Sequence, residues 1–192
     1  MPFPEIERAI VEFFVDLPRI VRVGLALFSL LMEYGAIVWF YLFLLAIAGF
    51  REWRRRGRAG GLRALSSNVY VEAVLMTIVG LALQGFLNNI VLHTLWNRPR
   101  PFQVMQIETL GSIWTTSAFV SGHTLAASVA ATILSHYLPD WASEYGIFAF
   151  LVGISRLATG MHWPSDVLVA WFLGIGLGFV VLYWKKWMMR RG

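Results

Sequence analysis

The sequence predicts an all-α integral membrane protein: a bundle of five transmembrane helices, or six if the N-terminal segment also crosses, with an amphipathic helix at 5–17 lying in the interface. Of the 192 residues, 58% are hydrophobic and 14% charged, and the mean hydropathy is +0.64. That composition lies far from a soluble domain's. The apolar residues gather into runs long enough to cross about 30 Å of hydrocarbon. The basic residues flank those runs, in one short loop and at the C-terminus, which is where topology determinants sit. The whole chain, 1–192, therefore reads as one membrane domain.

The formal net charge of +5 would suit nucleic acid in a soluble chain, but flanking basic residues in a membrane chain meet lipid headgroups instead. No nucleic-acid partner and no obligatory protein partner is expected. With no cysteine, neither a disulfide framework nor a thiolate metal site can form.

Between Glu5 and Asp16, Ile6, Ala9, Ile10, Phe13 and Phe14 recur at helical spacing, with Glu5, Glu7, Arg8, Glu12 and Asp16 between them. Such a helix lies on a bilayer rather than through it. Pro18 ends it. The first span is expected from about Val23 to Phe50, interrupted by Glu33, which needs a polar partner on a neighbouring helix. Arg51 to Arg63 follows, the most basic loop in the chain and by the positive-inside rule cytoplasmic.

The second span, about Val69 to Trp96, carries Gln84, Asn88, Asn89 and His93 toward its far end. Gln84 to Asn88 and Asn89 to His93 are each one α-helical turn, so these amides are expected to bond neighbouring helices. An outer loop, Asn97 to Ser117, contains Arg98-Pro99-Arg100-Pro101. The third span, about Phe119 to Leu138, begins at Ser121-Gly122-His123 and returns inward to the turn Pro139-Asp140-Trp141. The fourth, about Glu144 to Thr159, ends at Ser155-Arg156, and the fifth starts at Pro164 and runs to Lys185-Lys186.

Charge checks the count. With the Arg-rich loop inside, four further crossings return Lys185, Lys186, Arg190 and Arg191 to the inside. The same count places three stretches on one extracytoplasmic face of the cell membrane: 97–101, 121–123 and 155–166. Arg98, Arg100 and Arg156 are permanent cations with donor forks that fit phosphate oxygens. Ser121-Gly122-His123 opens a helix, whose free N–H groups and dipole favour an anion. Two histidines and one acid suit displacement at phosphorus, one imidazole attacking and the other protonating the leaving oxygen. Asp166, four residues after His162, is placed to hold one ring nitrogen and leave the other free. The outer face offers few carboxylates besides Asp166 and Glu108, so neither a metal nor another cofactor is expected.

These residues resemble the type 2 phosphatidic acid phosphatase (PAP2) family, whose site is shared with vanadium haloperoxidases and glucose-6-phosphatase. The family's motifs run K-x6-R-P, P-S-G-H and S-R-x5-H-x3-D. The third is complete from Ser155 through Asp166. The second is Val120-Ser121-Gly122-His123, with valine for proline, and the first matches at Arg100-Pro101 with His93 at the lysine position. The resemblance covers about Asn89 to Trp184, so 89–184 is the expected catalytic core.

By resemblance, His162 is the nucleophile that becomes phosphohistidine, Asp166 orients it and His123 is the general acid. Arg100, Arg156, Ser121 and the Gly122 backbone bind phosphate. His93 either donates a neutral hydrogen bond or leaves the missing charge to Arg98. The implied function is metal-independent removal of a terminal phosphate from a membrane lipid phosphate or diphosphate: prenyl diphosphate, phosphatidylglycerol phosphate or phosphatidic acid. The alternatives are a phosphotransferase serving another acceptor and a non-catalytic lipid-phosphate-binding membrane protein.

Overall fold

The computed structural model describes residues 3–32, 41–47, 49–51, 54, 68–110 and 115–191, and every regular element among them is helical. The elements are α1 (Phe3–Val15), α2 (Arg19–Leu31), helical turns at 41–47, α3 (Asn68–Phe86), α4 (Gly122–Tyr137), α5 (Ala142–Ala158) and α6 (Pro164–Met189). Pro18 separates α1 from α2: its fixed φ of −47° with ψ of 132° sets the extended step from which α2 starts. Helix α2 therefore begins at Arg19, earlier than the predicted span. It closes at Met32, whose N–H bonds back to Phe28 O and Ser29 O at 3.1 Å. Glu33 lies outside the described residues, as does most of the Arg-rich loop, of which Arg51 and Arg54 alone are described.

Among the described residues, two helical stretches, Val69–Leu95 and Pro164–Met189, are long and apolar enough to cross a bilayer. Their outward faces are apolar too: Ile78, Phe86, Phe172 and Phe179 are all more than half exposed. A helix apolar on all sides is solvated by lipid where it does not meet another helix. The predicted second span does not stay α-helical, for α3 widens into a π-turn at Leu87–Leu92 before His93–Leu95.

Helix α4 is the axis of the bundle, packed against α3, α5 and α6. Lipid supplies no hydrophobic drive for helices to associate, so close van der Waals packing has to. Small residues permit it. A methyl group built on Gly174 of α6 would stand 2.5 Å from Ser128 Cβ and 2.9 Å from the Leu125 carbonyl oxygen, and one on Gly178 would meet Thr132 at 2.7 Å. On the other flank, Ala127, Ala130 and Leu134 pack against Tyr145, Phe148 and Val152, and Tyr41 donates to the Ala127 carbonyl at 2.7 Å. The α4–α6 contact brings Ser121 and Asp166 to the same end, where the Ser121 N–H meets the Asp166 carbonyl at 3.3 Å.

Gly174→Ala is expected to push α6 away from α4 at a cost of about 1–3 kcal/mol, read as a lower unfolding temperature in detergent. Gly176→Ala, with no atom within 4 Å of the added carbon, is the control that leaves it unchanged.

Candidate active site

Two chain reversals meet at one end of the bundle. Arg156 occupies the last turn of α5, where the C-terminal dipole favours a cation. The chain then turns through Gly160, whose φ of 71° suits glycine, and its N–H closes onto Leu157 O at 2.9 Å. Helix α6 starts with Pro164 at its first position, and the Asp166 carboxylate reaches back to accept the Trp163 N–H at 2.9 Å. This turn aims His162 inward. Facing it, α4 begins at Gly122 with its first N–H groups unpaired by the helix.

A cavity of about 740 Å3 opens there. Its polar lining includes Arg100, Arg156, His162, Gly122, His123, Gln84, Asn88, Asn89 and His93, and Met32, Leu81, Val120 and Ala126 supply apolar lining. His162 is 3% exposed. Its Nδ1 lies 2.9 Å from the Ala118 carbonyl oxygen, which can only accept, so Nδ1 carries the proton. Its Nε2 lies 3.3 Å from Arg100 Nη1, which can only donate, so Nε2 presents its lone pair. Burial, with the Arg100 and Arg156 cations next, holds the His162 pKa well below the ordinary imidazole value. The ring is neutral and oriented by a backbone carbonyl.

Arg100 is as firmly held. Its guanidinium donates to Thr116 O at 2.9 Å, Met161 O at 3.0 Å and Ser117 O at 3.2 Å. Burial and then the Arg156 charge bring its pKa down to about 10, still a cation at neutral pH. Arg156, 2% exposed, donates to Ser29 Oγ at 2.6 Å, so α2 enters the site through a serine that carried no sequence signal.

Several sequence expectations change here. Asp166 does not bond the His162 ring: Oδ2 stands 3.9 Å from Nδ1, because the Ala118 carbonyl already holds that proton and the carboxylate caps α6. Arg98 does not line the large cavity. Two carboxylates draw it behind the loop, Glu7 Oε2 at 2.5 Å and Asp166 Oδ1 at 2.6 Å, with its guanidinium 5.3 Å from the Trp163 ring centroid. The Ser121 hydroxyl is fully buried and bonds Thr124 Oγ1 at 2.9 Å, away from the cavity lining. Gln84 does reach another helix, donating to Gly122 O at 3.4 Å. The wider π-turn, however, pairs Asn88 with Asn89 at 3.2 Å and sets it 3.5 Å from His93 Nε2, the fifth residue on rather than the fourth. Among the described residues no group of three or more His, Asp or Glu side chains is arranged to hold a metal ion.

A sequence profile of the PAP2 superfamily matches residues 72–190. The chain belongs to the PAP2 superfamily. Undecaprenyl-diphosphatase of Sulfolobus acidocaldarius is 40% identical over 67 residues, which are 34% of this chain and 32% of that protein. This PAP2 chain thus aligns with about a third of that curated relative's length. The crystal structure of Aquifex aeolicus LpxE superposes with a TM-score of 0.66 at 25% identity, covering 93% of each chain. That of a transmembrane PAP2-type phosphatidylglycerolphosphate phosphatase from Bacillus subtilis gives 0.60 at 24%, covering 96% of this chain and 86% of the other. The PAP2 match begins inside α3, so Glu7 and Ser29 reach the site from helices outside it.

With only four histidines, selectively labelled protein permits a direct check. The His162 signal, assigned by its loss in His162→Ala, should remain neutral and Nδ1-protonated through the range near 6.5 where free imidazole titrates. A midpoint at the ordinary value would refute the assignment.

Proposed function

We propose that this chain is a membrane-embedded lipid phosphatase that hydrolyses a terminal phosphate from a lipid phosphate or diphosphate through a phosphohistidine intermediate. The observation that carries this reading is the His162 Nε2 lone pair, held toward Arg100 at the wall of a cavity lined also by His123 and Arg156. Membership of a superfamily whose relatives include an undecaprenyl-diphosphatase supports it.

The phosphate occupies the cavity between the Arg100 and Arg156 forks and the first N–H groups of α4, where Gly122 lets backbone approach an anion. A phosphate oxygen takes over the Arg100 donor and uncovers Nε2. That lone pair attacks phosphorus, the ester or anhydride P–O bond breaks, and a protonated His123 gives its proton to the departing oxygen. The developing imidazolium keeps its Nδ1–H on the Ala118 carbonyl, with the Asp166 carboxylate close by. Neutral His123 then takes a proton from water as that water attacks the phosphohistidine, which frees inorganic phosphate and restores both rings. Hydrogen bonds to the equatorial oxygens strengthen as charge develops in the transition state. His93 acts as a neutral hydrogen-bond donor where the family has lysine, and Arg98 acts behind the site rather than on phosphate.

The finer architecture belongs to the same reading. Five spans form the bundle, α1 lies in the interface, and 89–184 is the catalytic core of a single domain. The cavity opens on the extracytoplasmic face, with the Arg51–Arg63 loop and the C-terminus cytoplasmic. Exposed apolar faces of α3 and α6 suit a substrate whose acyl or prenyl chain stays in the bilayer while its headgroup enters the cavity. Undecaprenyl diphosphate and other prenyl diphosphates, phosphatidylglycerol phosphate and phosphatidic acid all meet that requirement.

Phosphate release from these lipids by purified protein should continue in EDTA and fall by at least about a thousandfold in His162→Ala, as removal of a nucleophile does; normal release by that folded variant would reject the nucleophile. His123→Ala should cost about a hundredfold or more on a monoester, whose alkoxide needs the proton, and less on a diphosphate, whose leaving phosphate does not. Equal losses on both would reject His123 as the acid.

A further inference from the structure

The large cavity leaves one charged cluster unused. Behind His162, Arg98 bridges two carboxylates from opposite ends of the chain: Nη2 to Glu7 Oε2 at 2.5 Å, and Nη1 to Asp166 Oδ1 at 2.6 Å. Ser165 completes the ring, accepting from Arg98 Nη1 at 2.6 Å and donating its hydroxyl and N–H to Glu7 Oε1 at 2.5 and 3.1 Å. Glu7 is 5% exposed and Asp166 fully buried. A buried carboxylate persists as an anion only with such partners.

Two carboxylates share one guanidinium, so the cluster carries one net negative charge on the Nδ1 side of His162. The other charged or titratable groups acting on that ring are Arg100 and Arg156, which oppose an imidazolium, and His123. Resting on the function proposed above, we propose that Glu7 and Arg98 are positioning residues for phosphoryl transfer: Arg98 fixes Asp166 beside the His162 ring, and Glu7 offsets the Arg98 charge so that Asp166 still acts on the ring as an anion. The helix that supplies Glu7 is thereby part of the reaction centre. Its inner face holds Glu7 and the fully buried Val11, while Ile6, Ile10 and Phe13 stay on the outer face. Glu7 thus reaches Arg98 only while α1 is seated.

The two members act on His162 with opposite sign, which a purely structural role would not produce. Glu7→Gln removes negative charge, leaves Arg98 to Asp166 alone, and makes the imidazolium harder to form. The expected result is kcat for lipid-phosphate hydrolysis lowered about tenfold, the scale of one lost charge-assisted hydrogen bond, with KM unchanged and the acid limb of kcat/KM moved to lower pH. Arg98→Gln removes positive charge and should move that limb to higher pH. Arg98→Lys keeps the charge but not the two-sided fork, and should lower kcat with the limb where the wild type has it. Limbs that stay fixed, or that move together in the two Gln variants, would overturn the proposal.

The same opposite shifts are expected in the His162 imidazole titration of labelled, folded protein, a readout that needs no turnover. Shifts without hydrolysis of any lipid phosphate would remove the proposed reaction and keep the cluster. Hydrolysis without shifts would do the reverse. Should Arg98→Gln fail to fold, a shift to lower pH in Glu7→Gln beside an unmoved limb in Arg98→Lys supports the proposal, and a fixed limb in Glu7→Gln or a moved one in Arg98→Lys overturns it.

Discussion

A guanidinium buried at the end of a lipid-solvated bundle has to find acceptors for its donors within the protein, since neither hydrocarbon nor a closed core supplies any. Arg100 finds them in backbone carbonyls at 116, 117 and 161. Those carbonyls belong to the loop before α4 and the loop between α5 and α6, so satisfying one side chain ties together two reversals distant in sequence. The same constraint seats His162, because the carbonyl of Ala118, in the loop that Arg100 fixes, selects the ring's tautomer. Positioning and electrostatics come from one set of contacts.

The site is layered by charge. The cavity wall is cationic, and burial together with Arg100 and Arg156 holds His162 neutral. Behind that histidine lies a cluster with the opposite net sign, built from Glu7, Arg98 and Asp166. The His162 ring lies between the two, neutral, with Asp166 Oδ2 3.9 Å from its Nδ1. Helix ends sharpen the contrast, since the first turn of α4, the positive end of its dipole, and Arg156 in the last turn of α5 both line the cavity.

Much of this was legible in the sequence for definite reasons. Lipid demands apolar helical runs, so composition and period fixed an all-α membrane chain, and α4, α5 and α6 fall within a few residues of their predicted ends. Pro164 marks the start of α6 because its missing N–H and fixed φ suit the first position of a helix. Arg100, Arg156, His123 and His162 were nameable because ionisable groups at the ends of membrane spans are costly unless they have a use. All four line one cavity.

The sequence by itself determined the elements, the end of the bundle at which the polar residues gather, and the residue types available there, since those depend on local period, backbone chemistry and the cost of charge in lipid. Only the tertiary structure decided the partners. A carbonyl such as Ala118 O has no side-chain signature, so the hand on His162 could not be read as backbone rather than Asp166. Arg98 was drawn behind the site by Glu7, ninety-one residues earlier in the chain, a pairing that exists only after α1 folds back. The π-turn, one residue wider than an α-turn, moved Asn88 beside His93, because helical register is set by packing against neighbours as well as by the residues that form the helix.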